Sequence, residues 1–356
     1  MPTSLPWTVV GGNPARVIKK RVINRLLIDD EKLPLQGWDV MSPPRGYIFS
    51  NIFFMLDLTV IILTYNEEIH IRRCLENVCP IAKKVIVVDS FSTDRTLEIV
   101  QEYQNTIILQ NKWINYATQF NWALTKAPIN TEWVLRLDAD EYLSEGLIEE
   151  LKERLPLLED KYTGIVVPLQ RVFMGRNINH GIAKGIKMLR FFKNGKARSE
   201  VRMMDEHIEL LEGESIDFIN SFSDDNLNDI SWWTQKHLGY AKREAVDLLD
   251  VEFDLTGSAE HTVCSKIDRQ ALNKRRKKQK YAKQPLFIRA FAYFVYRYII
   301  KLGFLDGKEG FMWDFLQGWW YRTLVDAKIF EVKRACGDDK EAIKRYIKEK
   351  WGIVIN

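Results

Sequence analysis

The sequence predicts an α/β protein: a parallel sheet covered on both faces by helices, followed by a helical C-terminal region. Three observations predict it. From Leu58 onward, short runs of Val, Ile and Leu alternate with helix-like segments, as in strands buried on both faces and joined by helical crossovers. Those runs end in acidic or hydrogen-bonding residues. Beyond about residue 226 the chain becomes rich in Trp, Phe, Tyr, Lys and Arg.

The elements follow in order. Residues 58–64 (LTVIILT), 84–89 (KVIVVD), 106–109 and 132–138 (EWVLRLD) read as four strands. Helices are expected over 67–77, 93–103, 116–125 and 145–155. Ser92 or Thr93 can cap the second of these helices. Further on, strands become mixed (164–169, 186–192 and a run around 207–211), which predicts a mixed central sheet. A long helix is expected over 229–249, and aromatic-rich helices over 286–300 and 311–330.

Composition narrows the class. With 356 residues, 46% hydrophobic and 28% charged, the chain is a folded one. At roughly 150 residues per domain it has room for about two domains. No stretch reaches the ~18–20 uninterrupted apolar residues of a spanning helix. No charged-then-apolar leader opens the sequence, and Cys74, Cys79, Cys264 and Cys336 show no metal or redox spacing, so a reducing cytosol is expected. The net charge of +4 is unevenly spread: residues 265–301 carry twelve Lys/Arg against one acid, Asp268, a balance of +11 that leaves −7 elsewhere. Such a patch implies a polyanionic partner, either a membrane surface or a nucleic acid.

Ligands of open parallel sheets bind beyond the carboxyl ends of the strands. Here those ends read Thr64-Tyr65-Asn66-Glu67, Asp89-Ser90-Phe91-Ser92 and Asp138-Ala139-Asp140-Glu141. Asp138 and Asp140, two residues apart, can project to one side and suit Mg²⁺ or Mn²⁺ shared with a diphosphate; an isolated Asp-x-Asp is otherwise ordinary turn chemistry. Tyr65 can stack on a nucleobase or pack in the core. Asp89 can accept from a base or ribose, or cap a helix. No GxGxxG follows any strand, so the dinucleotide-binding fingerprint is absent.

Taken together, TVIILTYNEE, VIVVDSFSTDRT and WVLRLDADEYLS, in this order and spacing, resemble the family 2 glycosyltransferases of GT-A fold, from about residue 58 to about 211. The resemblance implies a Rossmann-like nucleotide-diphospho-sugar transferase domain, a nucleotide-sugar donor, inversion at the anomeric carbon, and a metal on Asp138 and Asp140. It also implies nucleotide-sugar contacts from Thr64, Tyr65, Glu67, Asp89 and Asp138. An inverting transfer needs a base for the acceptor hydroxyl. The family places an acid well after the Asp-x-Asp, and in the matching segment 203–209 Glu206 aligns best, with Asp205 as the alternative. A surface acid near a strand edge is the competing reading, and His207 is expected to be a hydrogen-bonding neighbour.

Two narrower resemblances frame this domain. Residues 7–21 are similar to the closing segment of hexapeptide-repeat acyltransferases, but the repeated coils and catalytic histidine of that fold are missing, so no acyl transfer is expected. Residues 296–311, with Gln317-Gly-Trp-Trp-Tyr, resemble the tail of bacterial glycosyltransferases that build lipopolysaccharide core and related surface glycans. The expected organisation is therefore 1–30 remnant, 31–57 linker, 58–225 catalytic domain and 226–356 helical basic and aromatic region.

In 286–300, Phe287, Phe291, Phe294 and Tyr298 fall near one helix face, while Arg289, Tyr293, Arg297 and Lys301 follow a stripe on another. Such a helix is expected to lie in a membrane interface, helped by the basic run 274–280; a solvated helix beside a core is the alternative. The combined expectation is an inverting, metal-dependent transferase acting on a lipid-linked saccharide at the inner face of the bacterial cytoplasmic membrane. A nucleotidyltransferase would show a Gly-rich loop after the first strand. A nucleic-acid-binding protein would leave the acidic strand ends unexplained, so no nucleic-acid partner is expected.

Overall fold

The computed structural model describes residues 8–11, 16–20, 55–183, 185–200, 207–257 and 280–355. It forms two units, Met1–Asn51 and Ile52–Asn356. In the first, β1 (Thr8–Gly11) pairs antiparallel with β2 (Arg16–Lys20).

The second unit is built on a mixed sheet. Its parallel half runs β5 (Thr106–Gln110), β4 (Ala82–Asp89), β3 (Leu56–Thr64) and β6 (Trp133–Asp138), in that spatial order. The sheet continues antiparallel through β10 (Lys187–Lys193) to β8 (Tyr162–Phe173), as the mixed reading expects. Along β8 lie β9 (Arg176–Ile178), β13 (Glu214–Asp217) and β14 (Phe222–Asp225), and β14 also pairs with β7 (Glu141–Leu143). A separate ribbon joins β11 (Ala197–Ser199) to β12 (Ile208–Leu210).

The strand period of two explains the layers. On one face, Val60 and Ile62 of β3 join a core with Ile71, Leu75 and Val78 of α1 (Ile71–Val78) and Leu147 and Leu151 of α4 (Glu145–Arg154). On the other, Ile61 and Leu63 meet Phe120 and Ala123 of α3 (Tyr116–Lys126). Phe120 is fully buried, and truncating it to Ala would cost about 3–5 kcal/mol. Asn115 and Ser144 cap α3 and α4, accepting from the amides of Thr118 and Leu147.

Two helix starts differ from expectation for one reason. α2 spans only Thr96–Val100, and α1 begins at Ile71 rather than near Glu67. Residues expected to begin these helices are instead tied to each other. The Glu67 amide donates to Thr96 Oγ1, the Glu68 amide to Asp94, and the Asn66 amide to Ser92 Oγ. Ser92 is thereby withdrawn from capping, and Asp94 accepts from the Thr96 amide in its place.

The C-terminal region is helical. α5 (Ile230–Phe253), capped by Asp229, packs against α8 (Tyr321–Cys336) and α9 (Lys340–Trp351) around Ala245, Leu249, Val325, Ile329 and Ile343. Between them, α6 (Ile288–Val295) passes into a π-helical turn at Tyr296–Ile300, and α7 (Gly307–Trp313) into another at Asp314–Trp320. Among the described residues no helix is long and apolar enough to cross a membrane.

The tail corrects one expectation. Arg289 and Arg297 were expected on an exposed basic stripe, but only 5% and 4% of their surface is exposed. Arg289 donates to Asp326 at 2.6 and 2.8 Å, and Arg297 to Asp314 at 2.8 Å. A guanidinium removed from water needs a carboxylate partner, and these two find theirs on the facing helices. The basic run 274–279 lies outside the described residues.

Candidate functional site

The register of the parallel strands assembles one rim. Thr64 lies opposite Asp89, Leu63 opposite Asp138, and Asp89 opposite Gln110. The acidic ends of β4 and β6 and the hydroxyl end of β3 therefore meet at one level.

Asp89 is fully buried. Its Oδ1 accepts from Thr64 Oγ1 at 3.2 Å and from the Ser92 hydroxyl, and its Oδ2 from the Ser92 amide at 2.9 Å and Gln110 Nε2 at 3.3 Å. The carboxylate thus shapes the loop after β4. Two residues of this region hold positive φ without being glycine, Asn66 at 55° and Phe91 at 63°. The second is costly for a bulky side chain and persists only where its surroundings enforce it. Tyr65 projects outward and is 59% exposed, so its ring face is accessible rather than packed in the core.

Glu67 turns away from this pattern. Its Oε2 lies 2.6 Å from Nδ1 of buried His70, whose Nε2 accepts from the Leu227 amide at 2.9 Å. An amide can only donate, so Nε2 is the bare nitrogen and Nδ1–H donates to Glu67. Glu67 therefore acts through His70 on the loop that follows β14.

That loop holds the second aspartate. Asn226 Nδ2 donates to Asp140 Oδ2 at 2.9 Å. Arg73 of α1 donates to the Asp225 carboxylate at 2.6 Å and to the Asp140 carbonyl at 3.2 Å. Asp138 differs: its amide donates to Glu141 Oε2 at 2.9 Å, while its Oδ1 is buried with no hydrogen-bond partner among the described residues. Glu141 in turn receives Arg190 Nη2 at 2.5 Å. Burial pushes the Glu141 carboxyl well above the usual carboxylate range, with Arg190 opposing. Burial likewise raises Asp224, against the pull of its partner Arg171. The Asp-x-Asp turn is thus held by ion pairs on both sides, leaving one oxygen of Asp138 unspent.

Glu206 and Asp205 lie outside the described residues. Their neighbour His207 leads into β12, which places the end of that segment against Ala197–Ser199. The sequence reading did not anticipate His70, Arg73, Asn226, Arg171 or Arg190. Among the described residues, no group of three or more His, Cys, Asp or Glu could hold a metal ion.

Comparison with known proteins agrees with this geometry. The glycosyl transferase family 2 profile matches residues 59–209. An uncharacterized glycosyltransferase of Rickettsia typhi is 30% identical over 168 residues, 46% of this chain and 56% of that protein. The lipopolysaccharide core biosynthesis glycosyltransferase LpsC of Rhizobium meliloti is 30% identical over 150 residues, 41% of this chain and 54% of LpsC. The poly(ribitol-phosphate) beta-N-acetylglucosaminyltransferase TarS of Staphylococcus aureus is 29% identical over 143 residues, 36% of this chain and 24% of TarS. The chain thus spans about half the length, or less, of these relatives. The matched segment contains the parallel strands, the Asp-x-Asp turn and the antiparallel continuation, the mixed α/β sheet expected of a GT-A domain. Residues 59–209, which carry the rim, are thus similar to the glycosyl transferase family 2 domain.

Proposed function

We propose that this protein moves a sugar from a nucleotide-sugar donor to a lipid-linked saccharide in bacterial surface-glycan synthesis, with inversion and with Mg²⁺ or Mn²⁺. The observation that carries the proposal is the unpartnered, buried Oδ1 of Asp138 beside Asp140 at the rim. A buried anionic oxygen without a partner is costly, so it is kept for a group that arrives with the substrate. Two carboxylates rather than a full protein cage suit a hard cation that completes its shell with diphosphate oxygens and water. When bound, such an ion offsets the charge that grows on the departing diphosphate.

The chain's own residues do the remainder. Tyr65 offers its exposed face to the base. Asp89 and Thr64 fix the loop around the nucleotide, Asp89 exchanging its longest contact, to Gln110, for a donor on the ligand. Glu67 holds His70, and through it the loop that positions Asp140. The base belongs to segment 203–209, with Glu206 first and Asp205 second, and takes the acceptor's proton as its oxygen attacks opposite the leaving group. The names of the relatives LpsC and TarS support a surface-glycan acceptor.

The membrane part of the proposal rests on apolar residues. Ile288, Phe291, Ile300, Phe304 and Leu305 are 44–67% exposed along α6 and the turns after it. Lys280, Lys283, Lys301 and Lys308 are exposed around them, and the acid in this stretch, Asp306, is buried against His180. Such a surface fits an anionic bilayer interface.

The reading is tested by thermal melting and donor hydrolysis across a panel of nucleotide sugars, with and without Mg²⁺ or Mn²⁺. At least one donor should raise the melting temperature only when metal is present. Stabilisation by none of them would defeat the proposal. Sedimentation with anionic vesicles tests the membrane part, and Ile300→Glu with Leu305→Glu should abolish binding there.

A further inference from the structure

We propose that Trp232, Lys236, Tyr240 and Arg243 of α5, together with Trp113 and Tyr116 at the start of α3, form an acceptor platform for a saccharide bearing a carboxylate or phosphate. This rests on the glycosyltransferase reading and names the class of its acceptor.

The α5 residues stand four, four and three positions apart and so share one helix face. The neighbouring face, with Trp233, His237, Ala241 and Ala245, is buried in the helical core, and Tyr240 is half-buried at the edge of that core. On the outer face, Lys236 Nζ lies 4.4 Å from the Trp232 ring centroid and 5.9 Å from that of Tyr240. The Arg243 guanidinium lies 5.0 Å from the Tyr240 ring. Among the described residues no carboxylate pairs with Lys236 or Arg243, so aromatic faces hold both cations and leave their N–H groups for an anion.

The platform lies beside the Asp-x-Asp rim. β5 ends at Gln110, which reaches Asp89, and the next residue, Asn111, bonds Gln119, which in turn bonds Ser90. The loop to α3 is therefore fastened to the rim, and it carries Trp113, 39% exposed and edge-on to Tyr116 at 4.6 Å. Tyr116 lies near Tyr240, where α3 comes close to α5. Burial and the carboxylates of Asp138 and Asp140 all act to keep its phenol protonated. At its other end α5 begins just after Asn226, the residue that holds Asp140. The exposed indoles of Trp113 and Trp232, backed by the half-buried phenols of Tyr116 and Tyr240, suit the C–H faces of a pyranose beside a sugar-transfer rim, and two uncommitted cations select for an acidic one.

Saturation-transfer NMR on the full chain, with trigalacturonate as the acidic probe and maltotriose as the neutral one, tests the platform. Trigalacturonate should bind roughly tenfold better, the worth of about one charge-assisted contact. Trp232→Ala should weaken both probes. Lys236→Gln with Arg243→Gln, both half-buried, should remove only the preference. Equal binding of the two sugars to the wild-type chain, or wild-type binding by the folded variants, would overturn the proposal. Nucleotide-sugar hydrolysis by the wild-type chain separates the two readings. Saccharide binding without hydrolysis of any donor would count against the transferase and for the platform, whereas hydrolysis without saccharide binding would do the reverse.

Discussion

Replacing Arg297 by Met distinguishes a structural arginine from a lipid-facing one. Arg297 and Asp314 are 4% and 2% exposed, and Nε meets Oδ1 at 2.8 Å. Burial already raises the Asp314 carboxyl, and Arg297 is the group that opposes this shift. Removing one partner of such a pair leaves an uncompensated buried charge, which costs about 3–5 kcal/mol. Relaxation offers little relief, because side chains on Gly303 or Gly181 would run into Asp314, so the carboxylate is closely hemmed in. The cheaper response is protonation. With its folded pKa raised further, Asp314 in the variant should favour the fold at acidic pH and withdraw that contribution as pH rises through the folded value. Denaturant unfolding should therefore show a loss of roughly 3–5 kcal/mol near neutral pH and partial recovery near pH 4. The double change Arg297→Met with Asp314→Leu should restore most of the stability at all pH values. A loss below about 1 kcal/mol, as for an exposed pair, accompanied by lost binding to anionic vesicles, would place Arg297 at the lipid and refute the buried-pair argument.

Further expectations follow from the site. Asp140→Asn should leave the fold intact and reduce transfer by on the order of a hundredfold or more, with metal-dependent nucleotide binding weakened in calorimetry; full turnover would remove the Asp-x-Asp role. Asn226→Ala should weaken the same binding by about 10–100-fold, as loss of an orienting hydrogen bond does. Glu206→Gln should bind donor nearly normally yet lose turnover, because only proton removal from the acceptor is gone; retained turnover with Asp205→Asn inactive would move the role one residue. His237 stacks on Trp233 at 3.5 Å, donates Nδ1–H to the Trp233 carbonyl, and has its pKa pulled down from 6.5 to about 4 by burial. Its neutral ring therefore favours the fold fully above pH 6.5, and that contribution, up to about 3 kcal/mol, drains away as pH falls toward 4. A His237→Phe chain should show a flatter loss of stability over that interval, and an unchanged slope would contradict the assignment.

The catalytic half was legible because its signals are local. Continuous apolar runs mark strands buried on both faces, and the residue where a run stops is a rim residue, so Thr64, Asp89 and Asp138 could be named without coordinates. What holds those residues was not legible. His70 meets Leu227 across 157 positions, Arg73 meets Asp225 across 152, and Asn226 meets Asp140 across 86. No local pattern marks one partner of such a pair, and Arg73 on a short helix reads like any surface arginine. Glu67 shows the same limit: its place after the first strand marks it as a rim residue, but only the fold shows its carboxylate turned onto His70.

The tail carries a different lesson. Spacing correctly separated an aromatic face from a basic one over 286–300, but not which face turns inward. Asp326 and Asp314, at 37 and 17 positions' remove, draw Arg289 and Arg297 into the protein. Ile288, Phe291, Ile299 and Ile300 of the same stretch are left facing out. In water this arrangement is unfavourable on both counts, since it desolvates guanidinium groups and exposes large apolar side chains. The second cost vanishes when the outward face meets an apolar medium. The inverted polarity is therefore stronger support for a bilayer contact than the basic stripe would have been. In the proposed bilayer contact it would shift the weight from charge to apolar burial, which salt does not screen.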